Sequence, residues 1–222
     1  MALTARLVLP GVPHHVVQRG VRSMDIFESD ADRTVYLQLL ARLGHRHGVS
    51  FLAWCLMTNH VHLIAIPIRL DSLARGIGNA HRRYSQLVNQ RTGASGHLFQ
   101  ARFYSYPIQA DSHLLASARY VELNPVFAGL ASCPEDYPWS SARYHLSGCA
   151  DPLVTSDPLA ELAPDWRAFL SDGVRLAADR ERIERHLTSG YPLGDDKWAH
   201  AVGENAGFHY PPKRPGRPAS RS

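Results

Sequence analysis

Two pairs of residues in this sequence have types and spacings that suit metal-assisted chemistry: His60 with His62, and Tyr120 with Asn124. His60 and His62 flank one apolar residue, Val61, in a β-rich run. Alternation along a strand sends residues i and i+2 to one face, so both imidazoles point the same way and Val61 points the other. Two imidazoles on one face suit a divalent cation, although histidines near a strand's start also serve as hydrogen-bonded core or rim residues. Tyr120 and Asn124 stand four apart in a helical pattern and share a face. A phenol there can act as a nucleophile, and an amide oxygen one turn on is a hard neutral ligand. The alternative is a core-facing tyrosine in a stripe with Leu115, Ala116 and Leu123, followed by an asparagine that caps the helix before Pro125.

The elements that must position these residues read as an alternating series. His14 to Arg19 is a short β-rich segment closed by Gly20. Ser29 to Gly48 carries Val35, Leu39, Leu40 and Leu43 at helical spacing, with Ser29 or Asp30 as N-cap. Val49 to Met57 and His60 to Pro67 are strand-like runs around Thr58-Asn59, a hairpin. Ser72 to Thr92 reads as one amphipathic helix stopped by Gly93, and it displays Arg75, Arg82, Arg83 and Arg91. Leu98 to Ile108 is aromatic and strand-like. Ser112 to Leu123 is a helix expected to stop before Pro125, because proline disfavours helical geometry in the residue before it. Beyond Pro134 come shorter pieces: Tyr137 to Tyr144, a helix over Asp165 to Leu170 and a charged helical run over Ala177 to Leu187. Lys213 to Ser222 combines Pro, Gly and Arg and reads as a disordered basic tail, a solubilising terminus rather than a minor-groove arm.

The 222 residues, 45% hydrophobic and 20% charged, are ordinary globular usage and exclude disordered and collagen-like classes. No apolar stretch approaches the roughly 20 residues of a membrane span, and Met1 to Pro10 lacks a signal-peptide pattern, so a cytoplasmic protein is expected. Cys55, Cys133 and Cys149 form no C-x-x-C pair and read as packing residues rather than disulfide or zinc ligands. The net charge of +4 is unevenly spread: residues 69–119 carry seven arginines against two acids, whereas 120–222 is net acidic. Arginine's planar fork binds phosphate oxygens in pairs, so the local excess points to a polyanion.

Taken in order, Asn59-His60-Val61-His62-Leu63-Ile64, the Arg-bearing helix, Arg102-Phe103, Tyr120-Val121-Glu122-Leu123-Asn124-Pro125-Val126 and Pro138-Trp139-Ser140-Ser141 resemble the IS200-like single-tyrosine HUH transposases. The N-P-V after the tyrosine helix, the P-W-S-S segment and the C-terminal extension resemble the REP-associated tyrosine transposases in particular. The resemblance covers about residues 10–145. It implies an α+β fold of the HUH or ferredoxin-like kind, a small antiparallel sheet with helices on one face, followed by a mainly helical extension. The expected organisation is a transposase domain over 1–145, the extension over 146–210 and the basic tail over 211–222.

Residue by residue, the resemblance implies that His60 and His62 form the metal pair, Tyr120 is the nucleophile and Asn124 completes the coordination, where minimal relatives carry a glutamine. Two imidazoles, an amide oxygen and no thiolate favour Mg²⁺ or Mn²⁺ over zinc. The implied reaction cleaves and rejoins single-stranded DNA bearing a hairpin through a 5′-phosphotyrosine, with no nucleotide cofactor. Arg75, Arg82, Arg83, Arg91 and Arg102 are the expected DNA contacts, with Phe103, Tyr104 or Trp54 available for stacking. A monomer is favoured over a homodimer. Two alternatives stay open: a non-catalytic binder of hairpin DNA or RNA on the same fold, and a metal-dependent hydrolase in which water attacks and Tyr120 is structural.

Overall fold

The computed structural model describes residues 6–109, 111–173 and 177–205. The chain runs β1 (His14–Arg19), α1 (Asp30–Arg46), β2 (Val49–Leu56), β3 (His60–Pro67), α2 (Asn79–Thr92), β4 (Tyr104–Pro107) and α3 (Ser112–Phe127). Five further helices follow: α4 (Ala142–Ser147), α5 (Pro158–Leu162), α6 (Trp166–Gly173), α7 (Ala177–Ser189) and α8 (Asp196–Asn205). The strands form one antiparallel sheet in the order β2-β3-β1-β4, so the fold is α+β with a helical C-terminal region. The basic tail over 213–222 lies outside the described residues.

Helices cover both faces of the sheet, not the single face expected. The reason is legible in β2 and β3, which are near-continuous apolar runs whose two faces both need cover. Val61, Leu63 and Ala65 of β3 join Leu40, Leu43, Ile77 and Tyr84 in a core beneath α1 and α2. On the other face Ile64 packs with Val121 and Leu123 of α3, Trp166 and Leu170 of α6 and Ile183 of α7.

Local chemistry sets most element ends. Ser29 caps α1 through a capping box, its side chain accepting from Asp32 N while the Asp32 carboxylate accepts from Ser29 N. The helix expected over Ser72 to Thr92 is instead a π-helical turn, Ala74–Gly78, leading into α2. Here Gly76 lies against Gly44 of α1, and a Cβ at Gly76 would sit 3.0 Å from the Val49 side chain and 3.4 Å from Gly44 Cα. Two glycines thus let the backbones meet. Only Tyr104–Pro107 of the expected Leu98 to Ile108 strand pairs regularly; the chain before it touches the sheet's end through Gln100 N donating to Arg19 O and a bridge from Phe99 to Gly20.

The tyrosine helix corrects a second expectation. α3 does not stop before Pro125 but runs through it to Phe127, with Asn124 inside the helix. Pro125 sits in the last turn, where its missing N–H costs one bond. The turn is held by Ala128 N donating to Asn124 O and Leu130 N donating to Pro125 O. Val121, Leu123 and Pro125 are all buried, and that packing outweighs the local preference against helix before proline.

Beyond residue 145 the chain returns to the sheet. Asp151 accepts from the Trp54 indole at 3.0 and 3.1 Å, Val154 bridges to Phe51, and Leu193 bridges to Ile108.

Two core histidines outside the candidate site make the fold acid-sensitive. His14 is satisfied as a neutral ring, Nδ1 donating to Val12 O at 2.8 Å and Nε2 accepting from Leu9 N at 3.2 Å. His81 Nε2 lies 2.7 Å from the Tyr36 hydroxyl. Burial pushes His14 down to about 4 and His81 to about 3. Both stay neutral in the fold yet protonate near their ordinary value once unfolded, so stability present above about pH 6.5 is lost as pH falls below it. Urea unfolding at pH 7.5 and pH 5 should show a lower midpoint at pH 5, with a slope approaching about 1.4 kcal/mol per pH unit for each buried neutral histidine. His81→Gln should make that slope shallower; an unchanged midpoint at pH 5 would refute the assignment.

Candidate functional site

The pairing of β1 with β3 brings the candidate residues together. Val17 is opposite His62 and Arg19 opposite His60, so His15, Arg19, His60 and His62 rise from the same face of two neighbouring strands. The Thr58-Asn59 turn is fixed from outside, with Gly20 N donating to Asn59 O and Ile26 N to Thr58 O. The Asn59 side-chain oxygen lies 2.6 Å from His60 Nδ1, so that nitrogen is committed as a donor and Nε2 keeps a lone pair.

His62 is held from behind. Its Nδ1 lies 3.0 Å from His15 Nε2, and His15 Nδ1 lies 2.7 Å from the Tyr106 hydroxyl. His62 Nε2 is buried and has no hydrogen-bond partner. Buried polar atoms are otherwise nearly always paired, and an unsatisfied one is costly. The arrangement is that of a ring with one nitrogen anchored and the other offered to a ligand. Burial pushes His15 down to about 3 and His60 to about 4, the Arg19 charge adding to the effect at His60, and burial likewise holds His62 well below its ordinary value. All three rings are therefore neutral at physiological pH, the state in which imidazole coordinates a metal.

α3 delivers Tyr120 to this corner. Its ring centroid is 5.5 Å from that of His62 and 6.0 Å from that of His15, edge-on to both. Asn124, one turn on, donates from Nδ2 to Tyr120 O at 3.1 Å, and its side chain also reaches the phenol. Burial raises the Tyr120 phenol above its ordinary value; the Asn124 contact and the charges of Arg180 and Arg19 oppose that rise. Tyr120 is 8% exposed, with Arg180 and Ile183 of α7 along its flank.

The opposite side of α3 is fixed by Glu122, which is fully buried. One carboxylate oxygen accepts from Ser141 Oγ at 2.6 Å and faces His145 Nδ1 at 2.5 Å; the other accepts from the Trp166 indole at 2.8 Å. Burial disfavours a charged His145, but Glu122 and then Asp157 override it and raise that histidine above its ordinary value. This network ties the tyrosine helix to α4 and α6.

The five arginines expected to contact DNA do not share one environment. Arg75 pairs with Asp71 at 3.2 Å, and Arg91 is held by Asp32 and by Glu28. Arg82 and Arg83 are exposed on α2, and exposed Arg102 lines a cavity together with Arg82. Of the three rings considered for stacking, Trp54 and Phe103 are buried and Tyr104 is exposed. Sequence reasoning missed His15, Tyr106 and Arg19. The adjacent His14-His15 and the alternation of β1 were the available signal, but only the register against β3 shows that His15 backs His62.

Among the described residues no group of three or more histidine, cysteine or carboxylate side chains could hold a metal. A cation here would rest on two imidazoles and the Asn124 amide. No described helix is long and apolar enough to cross a membrane.

The family model described as "Transposase IS200 like" matches residues 11–124, just over half of the chain. The chain belongs to the IS200-like transposases. The match ends on Asn124 and so includes His60, His62 and Tyr120. No curated protein matches this transposase. A solved structure of "the REP associates tyrosine transposase bound to a REP hairpin" matches with a TM-score of 0.53 at 16% identity, covering 71% of this transposase and 93% of that chain. At that identity the likeness speaks for the fold, and its coverage extends the shared architecture past the region of the family model.

Replacing Glu122 by leucine would strand Ser141, the Trp166 indole and His145 without their shared acceptor in a buried site. The expected cost is on the order of 3 kcal/mol, read as a lower urea midpoint. A loss below about 1 kcal/mol would mean the network does not hold the tyrosine helix.

Proposed function

We propose that this transposase cleaves and rejoins single-stranded DNA at hairpin-bearing sequences, using Tyr120 as nucleophile and a Mg²⁺ or Mn²⁺ ion held by His60, His62 and Asn124. The observation that carries the reading is the unpartnered, buried Nε2 of His62 beside the Tyr120 ring. A phosphodiester resists attack because its anionic oxygens repel the nucleophile. A divalent cation on a non-bridging oxygen, when bound, lowers that repulsion as a Lewis acid. The donor set fits: two neutral imidazoles with free Nε2 atoms and one amide oxygen, hard enough for either ion.

The chain's own groups supply the rest. Tyr120 Oη attacks phosphorus as the bond to the 3′ oxygen breaks, and the phenol's proton passes by way of solvent to the departing 3′ oxygen, leaving a 5′-phosphotyrosine and a free 3′-hydroxyl. Arg19 and Arg180 favour the phenolate by charge. The covalent bond conserves the energy of the phosphodiester, so a 3′-hydroxyl can reverse the reaction at another end. His15 acts through His62: for His62 Nε2 to offer its lone pair, Nδ1 must carry the proton and donate to His15 Nε2, and His15 Nδ1 must donate to the Tyr106 oxygen. The solved relative is bound to a REP hairpin, and the exposed Arg82, Arg83 and Arg102 suit the backbone of such a strand.

Incubating the protein with end-labelled, hairpin-bearing single strands and Mn²⁺ should give a covalent adduct that Tyr120→Phe abolishes. Turnover with no protein-linked product would indicate water as nucleophile, and hairpin binding without cleavage would indicate a binding module; either result overturns the reading. Separately, His15→Ala should weaken Mn²⁺ binding by about 10-fold or more in calorimetry on the metal-free protein, as loss of a ligand's outer hydrogen bond does elsewhere. Unchanged affinity would remove His15 from the site.

A further inference from the structure

The turn Val21–Ser23 that follows β1 holds two consecutive non-glycine residues in left-handed backbone, Arg22 at φ 51° and Ser23 at φ 59°. Such a conformation is costly outside glycine and persists only where the surroundings over-determine it. Here they do. Ser23 N donates to Gly20 O at 3.1 Å, Met24 N to Val21 O at 2.9 Å and Ile26 N to Thr58 O at 2.9 Å, so the turn is closed on itself and laced to the hairpin between β2 and β3. The result aims one group at the candidate site: the Ser23 carbonyl, which accepts from Asn59 Nδ2 at 3.2 Å.

That contact decides the state of the neighbouring histidine. A carbonyl oxygen can only accept, so the Asn59 atom facing Ser23 must be the amide nitrogen and the atom 2.6 Å from His60 Nδ1 must be the amide oxygen. An amide oxygen also only accepts. The proton of the neutral His60 ring must therefore sit on Nδ1. Neutral histidine free in water prefers the opposite tautomer, with its proton on Nε2 and no lone pair there for a ligand. Two contacts that begin outside the site, at a backbone carbonyl, thus reverse the ring's own preference. The support of His62 has a different source, the buried His15 and Tyr106 side chains of β1 and β4. His60 is only half-buried, so the asparagine supplies in the open the direction that a packed relay supplies to His62 in the interior.

We propose that Asn59 is a positioning residue of the metal site: locked by the Ser23 carbonyl, its amide holds the His60 proton on Nδ1 and so presents the Nε2 lone pair to a divalent cation. The proposal rests on the reading of His60 and His62 as metal ligands and adds the residue, and the strained turn, that make His60 competent before any ion arrives. Both acceptors behind the two rings are neutral, so the outer contacts orient the lone pairs and add no charge of their own.

The test reads the tautomer and the metal separately, and neither measurement needs DNA. In long-range proton–nitrogen correlation spectra of the metal-free full-length protein at pH 7.5, a ring nitrogen with a proton is well separated from one with a lone pair. The His60 signals are assigned by their loss in His60→Gln. The wild type should carry its His60 proton on Nδ1. Asn59→Ala should transfer most of the population to Nε2–H, and Asn59→Asp, which keeps an oxygen beside the ring, should restore Nδ1–H. Ser23→Pro, which forces φ to about −65° and redirects the carbonyl, should shift His60 in the direction of Asn59→Ala. Unchanged His15 and His62 signals report an intact sheet in each variant. In calorimetry Asn59→Ala should bind Mn²⁺ about 10-fold or more weaker than the wild type. A His60 that stays protonated on Nδ1 in Asn59→Ala, or wild-type Mn²⁺ affinity in that variant, overturns the proposal. An unmoved His60 tautomer in a folded Ser23→Pro overturns the lock by the turn. A wild type that binds no Mn²⁺ overturns the metal reading and the proposal with it, whereas Mn²⁺ binding that Asn59→Ala weakens upholds the proposal even where the adduct assay fails.

Discussion

The hydrogen bond between His15 and His62 commits one nitrogen of a buried imidazole and leaves the other without a partner. Much of the molecule is arranged so that this bond can exist. The two rings come from different strands and meet only in the observed register, in which Val17 faces His62 and His15 faces Ile64. Tyr106 must arrive from β4 on the far side of β1 to hold the other nitrogen of His15. α3 must then cross the same face to bring its tyrosine within 5.5 Å of the ring. Each contact is ordinary by itself. Together they fix the direction of a single lone pair.

The sheet separates two kinds of surface by strand alternation alone. Even-numbered residues of β3 face the tyrosine helix, and the odd-numbered Val61, Leu63 and Ala65 fill the core under α1 and α2. In β1 the odd positions His15 and Arg19 turn to the tyrosine, while Val16 packs beneath the other helices and Gln18 lines the cavity on that side. A histidine-rich corner and an arginine-rich hollow thus share β1 without sharing a face. The modest net charge of the chain conceals this division, because four of the seven arginines at 69–119 pair with carboxylates and the exposed remainder gathers toward one end of α2.

The sequence was most readable where one local pattern decided the outcome. The bounds of β1 and β3, the capping box of α1 and the same-face placement of His60 with His62 all follow from periodicity and cap chemistry. It was least readable where packing decided against local preference. Pro125 looked like a stop and is an internal residue of α3, and the start of the α2 segment is distorted by a glycine contact between helices that no pattern announces. The burial of Glu122 was equally hidden: a lone glutamate in an apolar helix reads as an exposed position until Ser141, His145 and Trp166, from beyond residue 140, close around it. His15 was invisible for a related reason, since its importance lies in a cross-strand register.

The β-bulge in β2 has a consequence for how such a chain tolerates change in length. Between Phe51 and Ala53 the register shifts, so that Leu52 and Ala53 both turn to the α3 face while Phe51 and Trp54 face the other helices. β2 has one strand neighbour, β3, and meets only isolated bridges to Val154 and Ser140 on its other side, so an extra residue there disturbs a single strand ladder. β3 is paired on both sides and has no such slack. One residue inserted between the hairpin turn and His60 would exchange its faces, burying imidazoles under α1 and presenting valine and leucine to the tyrosine. Indels in this architecture are thus absorbable at the margin and ruinous one strand inward, a gradient set by pairing geometry before any selection on the reaction itself.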